Sequence, residues 1–423
     1  MRLTGAWVIP GVLCLAATAA SPPSFYLHEG DTVVFYGDSI TAHLLYSVYT
    51  EAYVTARFPK MRVRFVHSGW GGDRVSGGAG GTIEQRLQRD VFAYHPSVVT
   101  ILLGMNDGEY QAFNPQLLEK YEQGYRHIVE LIRKELPQAR ITLLKPTPYD
   151  DVTRPPDFEG GYDSVQARFG EFVERLAKEE HLDLADLHAP SVALLKAAAS
   201  LPTRAAQLLI PDRVHPAEGV NLVMAAALLE AWHAPPIVTD VEIDGSTGAV
   251  AHSRNTALHD IEVGNTIAWR QDDRALPLAI DRSAETIPIA LRFSDVVKIL
   301  DQETLRVTNL QTGKYRLEID GAAIGTFDSR ELGQGINLGT LPTPMAKQSI
   351  AVQVEAFKHN YLHVARWRMV EDAFKDDHLP GVRPASQALD ALEEQAVELQ
   401  RAMAQPKSHV YRLTRDSAIS SGQ

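Results

Sequence analysis

Cysteine is almost absent from this chain: Cys14 is the one cysteine among 423 residues. It lies in an apolar run, residues 7–17, which follows Arg2 and precedes the small residues 18–20. This arrangement is typical of a secretory signal peptide, and the run is short for a membrane span. We therefore expect residues 1–20 to be a signal peptide and the protein to be secreted or periplasmic; the alternative is a short uncleaved anchor. Without Cys14, neither disulfides nor cysteine nucleophiles are available.

The sequence also lacks a second long apolar run and an excess of positive charge. It has 41 Lys and Arg against 53 Asp and Glu, a net charge of -12 and a pI of about 5.7. An acidic surface repels polyanions, so we expect no nucleic-acid partner and no stable membrane anchor. A small-molecule or polysaccharide partner is compatible with this composition. The sequence leaves the oligomeric state open.

Metal and cofactor motifs are missing as well. The glycine-rich stretch at 69–81 lacks the spacing of a dinucleotide or phosphate loop. One group resembles metal ligands by composition, namely His181, Asp183, Asp186 and His188. The leucines between them indicate a strand with polar ends instead. We therefore predict no metal and no cofactor.

Alternating strand and helix patterns fill residues 28–235. The predicted strands are 32–37, 62–67, 98–103, 141–144 and 182–187. The predicted helices between and after them are 40–58, 83–92, 115–136, 164–180, 192–199 and 217–232. Repeated β–α units form a parallel sheet covered by helices on both faces. The sequence thus predicts a three-layer α/β/α domain.

The pattern changes after residue 236. Runs at 304–309 and 315–319 alternate at period two and adjoin turn residues, which predicts an antiparallel β-rich accessory domain over 237–355. Residues 356–405 form a predicted C-terminal helical segment, with helices at 355–373 and 386–404. An apolar stripe on the second helix is expected to pack on its own chain, and packing on a partner is the alternative.

Candidate catalytic residues follow three of the predicted strands. Ser39 comes directly after the first strand, Gly72 lies in the loop after the second and Asn106 in the loop after the third. The carboxyl ends of parallel strands share one edge, so a Gly72 N–H and the Asn106 amide can form an oxyanion hole beside Ser39. The downstream Asp212-x-x-His215 spacing suits a base and its orienting carboxylate. The alternative for Ser39 is a simple helix N-cap.

Four sequence blocks together resemble the SGNH, or GDSL-type, esterases and lipases. They are Gly37-Asp38-Ser39-Ile40, Gly69-Trp70-Gly71-Gly72-Asp73, Leu103-Gly104-Met105-Asn106-Asp107-Gly108 and Asp212-Arg213-Val214-His215-Pro216. The resemblance covers roughly residues 30–233. It implies a flavodoxin-like sheet, Ser39 as nucleophile, His215 as base and Asp212 as its partner. It also implies an oxyanion hole from the Ser39 and Gly72 N–H groups and the Asn106 amide. The second block departs from the family by carrying His67 where Asn is frequent.

Other residues near these blocks have two interpretations each. Trp70 either binds substrate or packs against the sheet edge. Asp73 and Arg74 either contact substrate or form an ion pair that braces the glycine loop. Tyr149, with the loop 150–161, either roofs the site or belongs to an ordinary surface loop. Asp107 and Glu109 are expected to stabilise their turn.

These observations predict an exported serine esterase that acts on short-chain carboxylic esters, with O-acetylated carbohydrate favoured as substrate. An acyl-enzyme on Ser39 is the expected intermediate. One alternative is a lipase or thioesterase of broad acyl range. The other is a catalytically inactive carbohydrate-binding protein that keeps the hydrolase scaffold.

Overall fold

The computed structural model describes residues 24–416, so the predicted signal peptide lies outside the described residues. The strands are β1 Thr32–Gly37, β2 Arg64–Gly69, β3 Gly77–Gly78, β4 Gly81–Thr82, β5 Val98–Leu102, β6 Arg140–Leu144, β7 Asp183–Ala185, β8 Ile237–Asp244, β9 Val250–Arg254, β10 Thr256–Glu262, β11 Thr266–Asp273, β12 Gln302–Thr308, β13 Lys314–Ile319, β14 Ala322–Asp328, β15 Ile336–Asn337 and β16 Ser408–Arg415.

Helices cover the remaining regular structure. The α-helices are α1 Ser39–Ala42, α2 Leu45–Arg57, α3 Ile83–Asp90, α4 Pro115–Glu135, α5 Asp163–Glu180, α6 His188–Ala198, α7 Thr203–Gln207, α8 Glu218–Ala231, α9 Ile287–Phe293, α10 Val296–Leu300, α11 Ser329–Gln334, α12 Pro344–Val364 and α13 Val382–Met403. A π-helix follows α12 at Ala365–Asp372, and short 3-10 turns lie at Phe92–Tyr94 and Leu338–Thr340.

A five-stranded parallel sheet carries the candidate catalytic residues. Its order is β2-β1-β5-β6-β7, so that the strands, numbered among themselves along the chain, run 2-1-3-4-5. This is the flavodoxin-like order, as predicted. β1 pairs with β2 on one side and β5 on the other. Its apolar residues are fully buried because helices cover both faces, which explains the uninterrupted apolar run in the sequence.

The predicted helix over 40–58 is interrupted. Leu44 adopts φ 67 and separates α1 from α2. A leucine rarely takes this left-handed conformation, yet its side chain is only 4% exposed and packs with Val48 and Ala356. Tertiary packing therefore overrides the helical pattern at this point, and it leaves α1 as a single short turn that begins at Ser39.

The β-rich region consists of two further sheets. Their orders are β15-β12-β8-β9 and β10-β11-β16-β13-β14. Most neighbours are antiparallel, but β8 and β12 pair in parallel, which corrects the all-antiparallel prediction. β16 is a second correction: it lies at the centre of its sheet, although the predicted β-rich domain ends at residue 355. Its residues alternate in burial, with Tyr411 and Leu413 fully buried, so the period-two signal was present in the sequence.

The C-terminal helices also begin earlier than predicted. Thr343 caps α12, its hydroxyl accepting the Ala346 N–H, and Pro344 occupies the first turn. α12 packs against both α13 and α2. The apolar stripe of α13 is only partly covered by its own chain, because Leu392 and Leu399 are 48% and 50% exposed. Between residues 24 and 416 the structure has no helix with the length and apolar character needed to cross a membrane.

Candidate active site

Ser39 begins α1 at the carboxyl end of β1. Asp38 is the N-cap, and its Oδ1 accepts the Ile40 N–H at 2.9 Å. The N-cap interpretation of Ser39 is therefore wrong, and its hydroxyl is free for another partner. Gly37 allows the close approach of chain segments here. A Cβ at this position would lie 2.2 Å from the Thr41 hydroxyl oxygen and 2.7 Å from the Leu102 carbonyl oxygen.

His215 and Asp212 come to Ser39 from the loop before α8. The His215 Nε2 lies 2.9 Å from the Ser39 Oγ, and its Nδ1 lies 2.6 Å from the Asp212 Oδ2. The other Asp212 oxygen accepts the Val214 N–H at 3.0 Å and the His215 N–H at 2.7 Å. Burial alone would raise the pKa of Asp212, but these bonds outweigh it and lower the pKa. Asp212 therefore stays ionised while it fixes both the loop and the imidazole.

The glycine loop after β2 lies beside Ser39. The Asp73 N–H donates to the Trp70 carbonyl at 3.2 Å, which closes a turn with Gly71 and Gly72 at its centre. Gly72 has φ 78, the left-handed conformation that a type II turn needs at its third position. A Cβ on Gly71 would lie 4.0 Å from the Ser39 Cβ. Neither the Gly72 nor the Ser39 N–H donates a hydrogen bond within residues 24–416.

Asn106 follows β5 and joins the same cluster. Its Nδ2 donates to the Asp73 carbonyl at 3.0 Å, and its Oδ1 accepts the Tyr110 hydroxyl at 3.0 Å. These two bonds define the orientation of the amide and leave one of its hydrogens for a further acceptor. The buried Asp107 beside it accepts the Val75 N–H at 2.9 Å. Asp107 thus braces the glycine loop, and Glu109 pairs with Arg74 at 2.9 Å.

Two of the four predicted substrate contacts are buried. Asp73 is fully buried and pairs with Arg86, not with its neighbour Arg74. Trp70 is 8% exposed and packs against Trp367. Direct substrate contact by Asp73 and Trp70 is therefore corrected to structural support of the glycine loop. The side chain of Arg74 is 42% exposed and stays open to a ligand.

Tyr149 belongs to an aromatic group next to Asn106. Its ring lies 6.3 Å from that of Tyr110 and 5.3 Å from that of Tyr162. The following loop contacts the His215 loop: the Asp150 N–H donates to the Arg213 carbonyl at 2.9 Å, and the Arg213 guanidinium donates to the Pro155 carbonyl at 3.0 Å. The loop 150–161 therefore braces the segment that carries Asp212 and His215. Arg213 had no recognisable sequence signal for this role.

Sequence reasoning also missed His43. Its ring lies 4.6 Å from that of His215. Burial, and then the nearby His215, lower the pKa of His43, although Asp212 opposes this shift. His43 is four residues after Ser39, one helical turn along, and that spacing is the signal that would have placed it at the site.

His181, Asp183, Asp186 and His188 resembled metal ligands by composition, but His188 and Asp183 form hydrogen bonds to residues outside this group. His188 pairs with Asp163 at 2.9 Å, and Asp183 accepts the Tyr26 hydroxyl at 2.7 Å. Within the described residues, no three His, Cys, Asp or Glu side chains converge as they would around a metal ion.

Comparisons with known proteins agree with this architecture. Residues 35–219 match the GDSL-like Lipase/Acylhydrolase family. An acetylxylan esterase from Geobacillus stearothermophilus is 27% identical over 226 residues, which is 48% of this chain and 93% of that protein. The solved structure of BT4096, a gut microbial diltiazem-metabolizing enzyme, has a TM-score of 0.77 at 23% identity and covers 92% of this chain and 98% of that one. The last likeness is one of fold.

The matched region spans the parallel sheet and ends in α8, beyond the loop that carries His215. This agreement defines the class of enzyme, and the chain is a carboxylic ester hydrolase. Within that class, the part of the chain at residues 35–219 is similar to the GDSL-like lipases and acylhydrolases, the family that the four sequence blocks resemble.

Proposed function

We propose that this protein is an exported serine esterase that removes short acyl groups, in particular O-acetyl groups on carbohydrate, through an acyl-enzyme on Ser39. The observation that carries the proposal is the hydrogen-bonded series Ser39–His215–Asp212, with distances of 2.9 Å and 2.6 Å. A serine hydroxyl needs an adjacent base to act as a nucleophile, and this geometry supplies one.

In the proposed reaction the Ser39 Oγ attacks the ester carbonyl while His215 Nε2 takes the hydroxyl proton. The tetrahedral intermediate collapses, the proton passes to the departing alcohol, and the acetyl group stays on Ser39. Water then attacks this acyl-enzyme with His215 as base, which releases the acid and restores the hydroxyl. Asp212 stabilises the imidazolium that forms in each half of the reaction.

The developing oxyanion requires hydrogen-bond donors beside Ser39. Three are available: the N–H groups of Ser39 and Gly72 and the remaining hydrogen of the Asn106 amide. Each such donor is typically worth about 3 kcal/mol in the transition state. The close position of Gly71 to Ser39 supports the assignment of the glycine loop to this role.

Three observations support an acetylated carbohydrate as substrate. The relative from Geobacillus stearothermophilus is an acetylxylan esterase. The side chains of Arg74 and Asp212 are 42% and 55% exposed, so the mouth of the site is open and polar. Tyr149 and Tyr110 offer aromatic surfaces of the kind that sugar rings contact. Export agrees with the predicted signal peptide and with an extracellular polymer as substrate.

The direct test is hydrolysis of p-nitrophenyl acetate, butyrate and decanoate by the chain without residues 1–20, beside the Ser39→Ala variant. Acetylated xylan is added as a competing substrate, and xylan without acetyl groups is the control. We expect turnover to be fastest with acetate, to be lost in Ser39→Ala, and to be inhibited by the acetylated polymer alone.

Two outcomes would replace this proposal. Preference for decanoate would identify a lipase or thioesterase of broad acyl range. Absence of Ser39-dependent turnover, together with no labelling by a serine-reactive fluorophosphonate, would favour a carbohydrate-binding protein on a hydrolase scaffold. If the label reacts with the wild type and not with Ser39→Ala, the site is active and merely slow on model esters.

A further inference from the structure

The C-terminal π-helix packs on the loop that carries Gly72. Trp367, in this π-helix, makes an edge-to-face contact with Trp70 at 5.4 Å between ring centroids. The guanidinium of Arg368 lies 4.3 Å from the centroid of the Trp70 ring, and that of Arg89 lies 4.8 Å from it. Trp70 is therefore in contact with aromatic and cationic side chains, and two of them, Trp367 and Arg368, come from the C-terminal segment.

Trp70 connects this contact to the catalytic residues through its backbone. Its N–H donates to the Gly37 carbonyl at 3.0 Å, and its carbonyl accepts the Asp73 N–H across the Gly71–Gly72 turn. Gly37 is two residues before Ser39. A shift of the Trp70 side chain would therefore move the turn that presents the Gly72 N–H and change its distance from the Ser39 Oγ.

Trp367 is itself held firmly. It is 1% exposed, and its Nε1 donates to the Asp90 Oδ1 at 2.5 Å. Asp90 also pairs with the buried Arg86, which donates to the Ser68 carbonyl at 3.0 Å, just before the glycine loop. The guanidinium of Arg86 lies 5.4 Å from the centroid of the Trp70 ring. Arg86 therefore supports the glycine loop in two ways: it contacts the Trp70 side chain, and it binds the backbone just before the loop.

A second buried set of contacts joins the C-terminal helices α12 and α13 to Glu51 of α2 and His67 of β2. His67, two residues before the glycine loop, contacts Glu51 at 3.0 Å. The two Glu51 oxygens also accept from α12 and α13, at 2.5 Å from His359, 3.0 Å from Asn360 and 2.9 Å from Gln400. Burial opposes ionisation of Glu51, but His359 and His67 lower its pKa. Burial likewise opposes ionisation of His359, but the Glu51 carboxylate raises its pKa. The charged pair fixes α12 against the strand that leads into the loop.

We propose that Trp367 is a positioning residue for the oxyanion hole: it holds Trp70, and through Trp70 it sets the position of the Gly72 N–H relative to Ser39. The C-terminal helical segment is then a working part of the active site. It is not an independent accessory module. The proposal rests on the proposed function, because it assigns a role in the same site. π-helical turns occur frequently at functional sites, which agrees with this assignment.

The test compares Trp367→Phe and Trp367→Ala with a matched control, Trp269→Phe, in the chain without residues 1–20. Trp269 is also 1% exposed and stacks on Tyr411 at 5.0 Å, in the β-rich region. We measure kcat and KM on p-nitrophenyl acetate, the melting temperature, and amide hydrogen exchange in the peptide that covers residues 69–75. The control reports what the loss of a buried tryptophan does to stability alone.

We expect kcat to fall about 10- to 100-fold in Trp367→Ala with KM nearly unchanged, because misplaced oxyanion donors weaken transition-state binding more than ester binding. Trp367→Phe keeps an aromatic ring and should recover part of the loss. Exchange in residues 69–75 should become faster in Trp367→Ala and stay as in the wild type in Trp269→Phe. The affinity of a boronic acid that forms a tetrahedral adduct on Ser39 should fall with kcat.

A kcat within twofold of the wild type in Trp367→Ala, or unchanged exchange in residues 69–75, would overturn the proposal. The Ser39→Ala variant is measured in parallel. It shows whether the positioning role of Trp367 is wrong or whether the proposed esterase function itself is wrong. An inactive Ser39→Ala with a fully active Trp367→Ala refutes the positioning role alone. If the wild type has no esterase activity, hydrogen exchange still decides whether Trp367 holds the loop.

Discussion

The imidazole rings of His43 and His215 lie 4.6 Å apart, with an angle of 32° between their planes. His43 is the C-cap residue of α1, the single helical turn that begins at Ser39. The proposed nucleophile and a neighbour of the proposed base are thus fixed by the same short helix. His215 is contacted by Ser39, Asp212 and His43, so its orientation depends on more than its two hydrogen bonds.

Replacement of His43 by alanine should reduce activity through this ring contact. Aromatic pairs contribute about 0.5–1.5 kcal/mol, so we expect kcat/KM on p-nitrophenyl acetate to fall roughly 2- to 12-fold. His43→Phe retains a planar ring and should stay within about twofold of the wild type. His127→Ala, which changes an exposed histidine paired with Glu84, is the control. Equal kcat/KM in His43→Ala and His127→Ala would show that the contact does not orient His215.

Asp212 should serve two separable purposes, since one oxygen contacts the imidazole and the other accepts two backbone N–H groups. Asp212→Asn removes the charge and keeps an acceptor for the loop, whereas Asp212→Ala removes both. We expect kcat to fall about 10²- to 10⁴-fold in either variant. We expect the free energy of unfolding to fall, by about 1–3 kcal/mol, in Asp212→Ala alone. Urea denaturation measures the change in stability, and the kinetics measure the change in kcat. If Asp212→Asn lowered the free energy of unfolding as much as Asp212→Ala, the two purposes would not be separable.

The Asn106 amide should act in the transition state and depend on Tyr110 for its orientation. Asn106→Ala removes one proposed oxyanion donor, which typically costs about 10²–10³ in kcat. Tyr110→Phe leaves the amide in place but removes the hydroxyl that donates to its Oδ1 at 3.0 Å. We expect a several-fold fall in kcat for Tyr110→Phe, with the melting temperature unchanged, because Tyr110 is 44% exposed. Wild-type kcat in Tyr110→Phe would mean that the bond to Asp73 alone orients the amide.

The sequence predicted most of the parallel sheet because its strands are buried on both faces. A run such as Val33-Val34-Phe35-Tyr36, which is short and ended by Gly37, indicates a buried strand. The convergence of Ser39, Asn106, Asp212 and His215 was expected from topology and spacing. The structure joins Ser39, His215 and Asp212 in one hydrogen-bonded series, and it binds Asn106 to the backbone of the glycine loop. The helix break at Leu44 was not predictable, since its left-handed backbone is imposed by packing against α12, more than 300 residues later.

The contacts of Trp70 and Asp73 were not predictable from the local sequence either. Both residues stand in a block associated with catalysis, but their partners, Trp367 and Arg86, come from the C-terminal π-helix and from α3. Local spacing contains no information about such distant partners. β16 is a different case, because the alternation in Ser408–Arg415 was visible in the sequence. No turn motif next to β16 indicated its partner, because β13 ends almost 90 residues earlier in the chain.

A last prediction concerns Asp38, the N-cap of α1, which begins with the proposed nucleophile. Burial, and to a smaller extent the nearby Asp107 and Asp73, raise its pKa to about 7, against the hydrogen bond from Ile40. The carboxyl has a pKa of about 3.9 when the chain is unfolded. Between these two values the folded state binds more protons than the unfolded state, so this group makes stability fall as pH rises from about 4 to about 7. Below about pH 4 its contribution is fully present.

Asp38→Asn tests this directly, because the amide oxygen still accepts the Ile40 N–H and the side chain stays neutral at every pH. The free energy of unfolding of Asp38→Asn, relative to the wild type, should increase between about pH 4.5 and about pH 8, as urea denaturation measures it. Asp260→Asn, at a side chain that is 75% exposed, is the control. If the Asp38→Asn difference were independent of pH, the Asp38 carboxyl would be ionised throughout. The buried N-cap would then have to be stabilised as a carboxylate by the N–H groups at the start of α1.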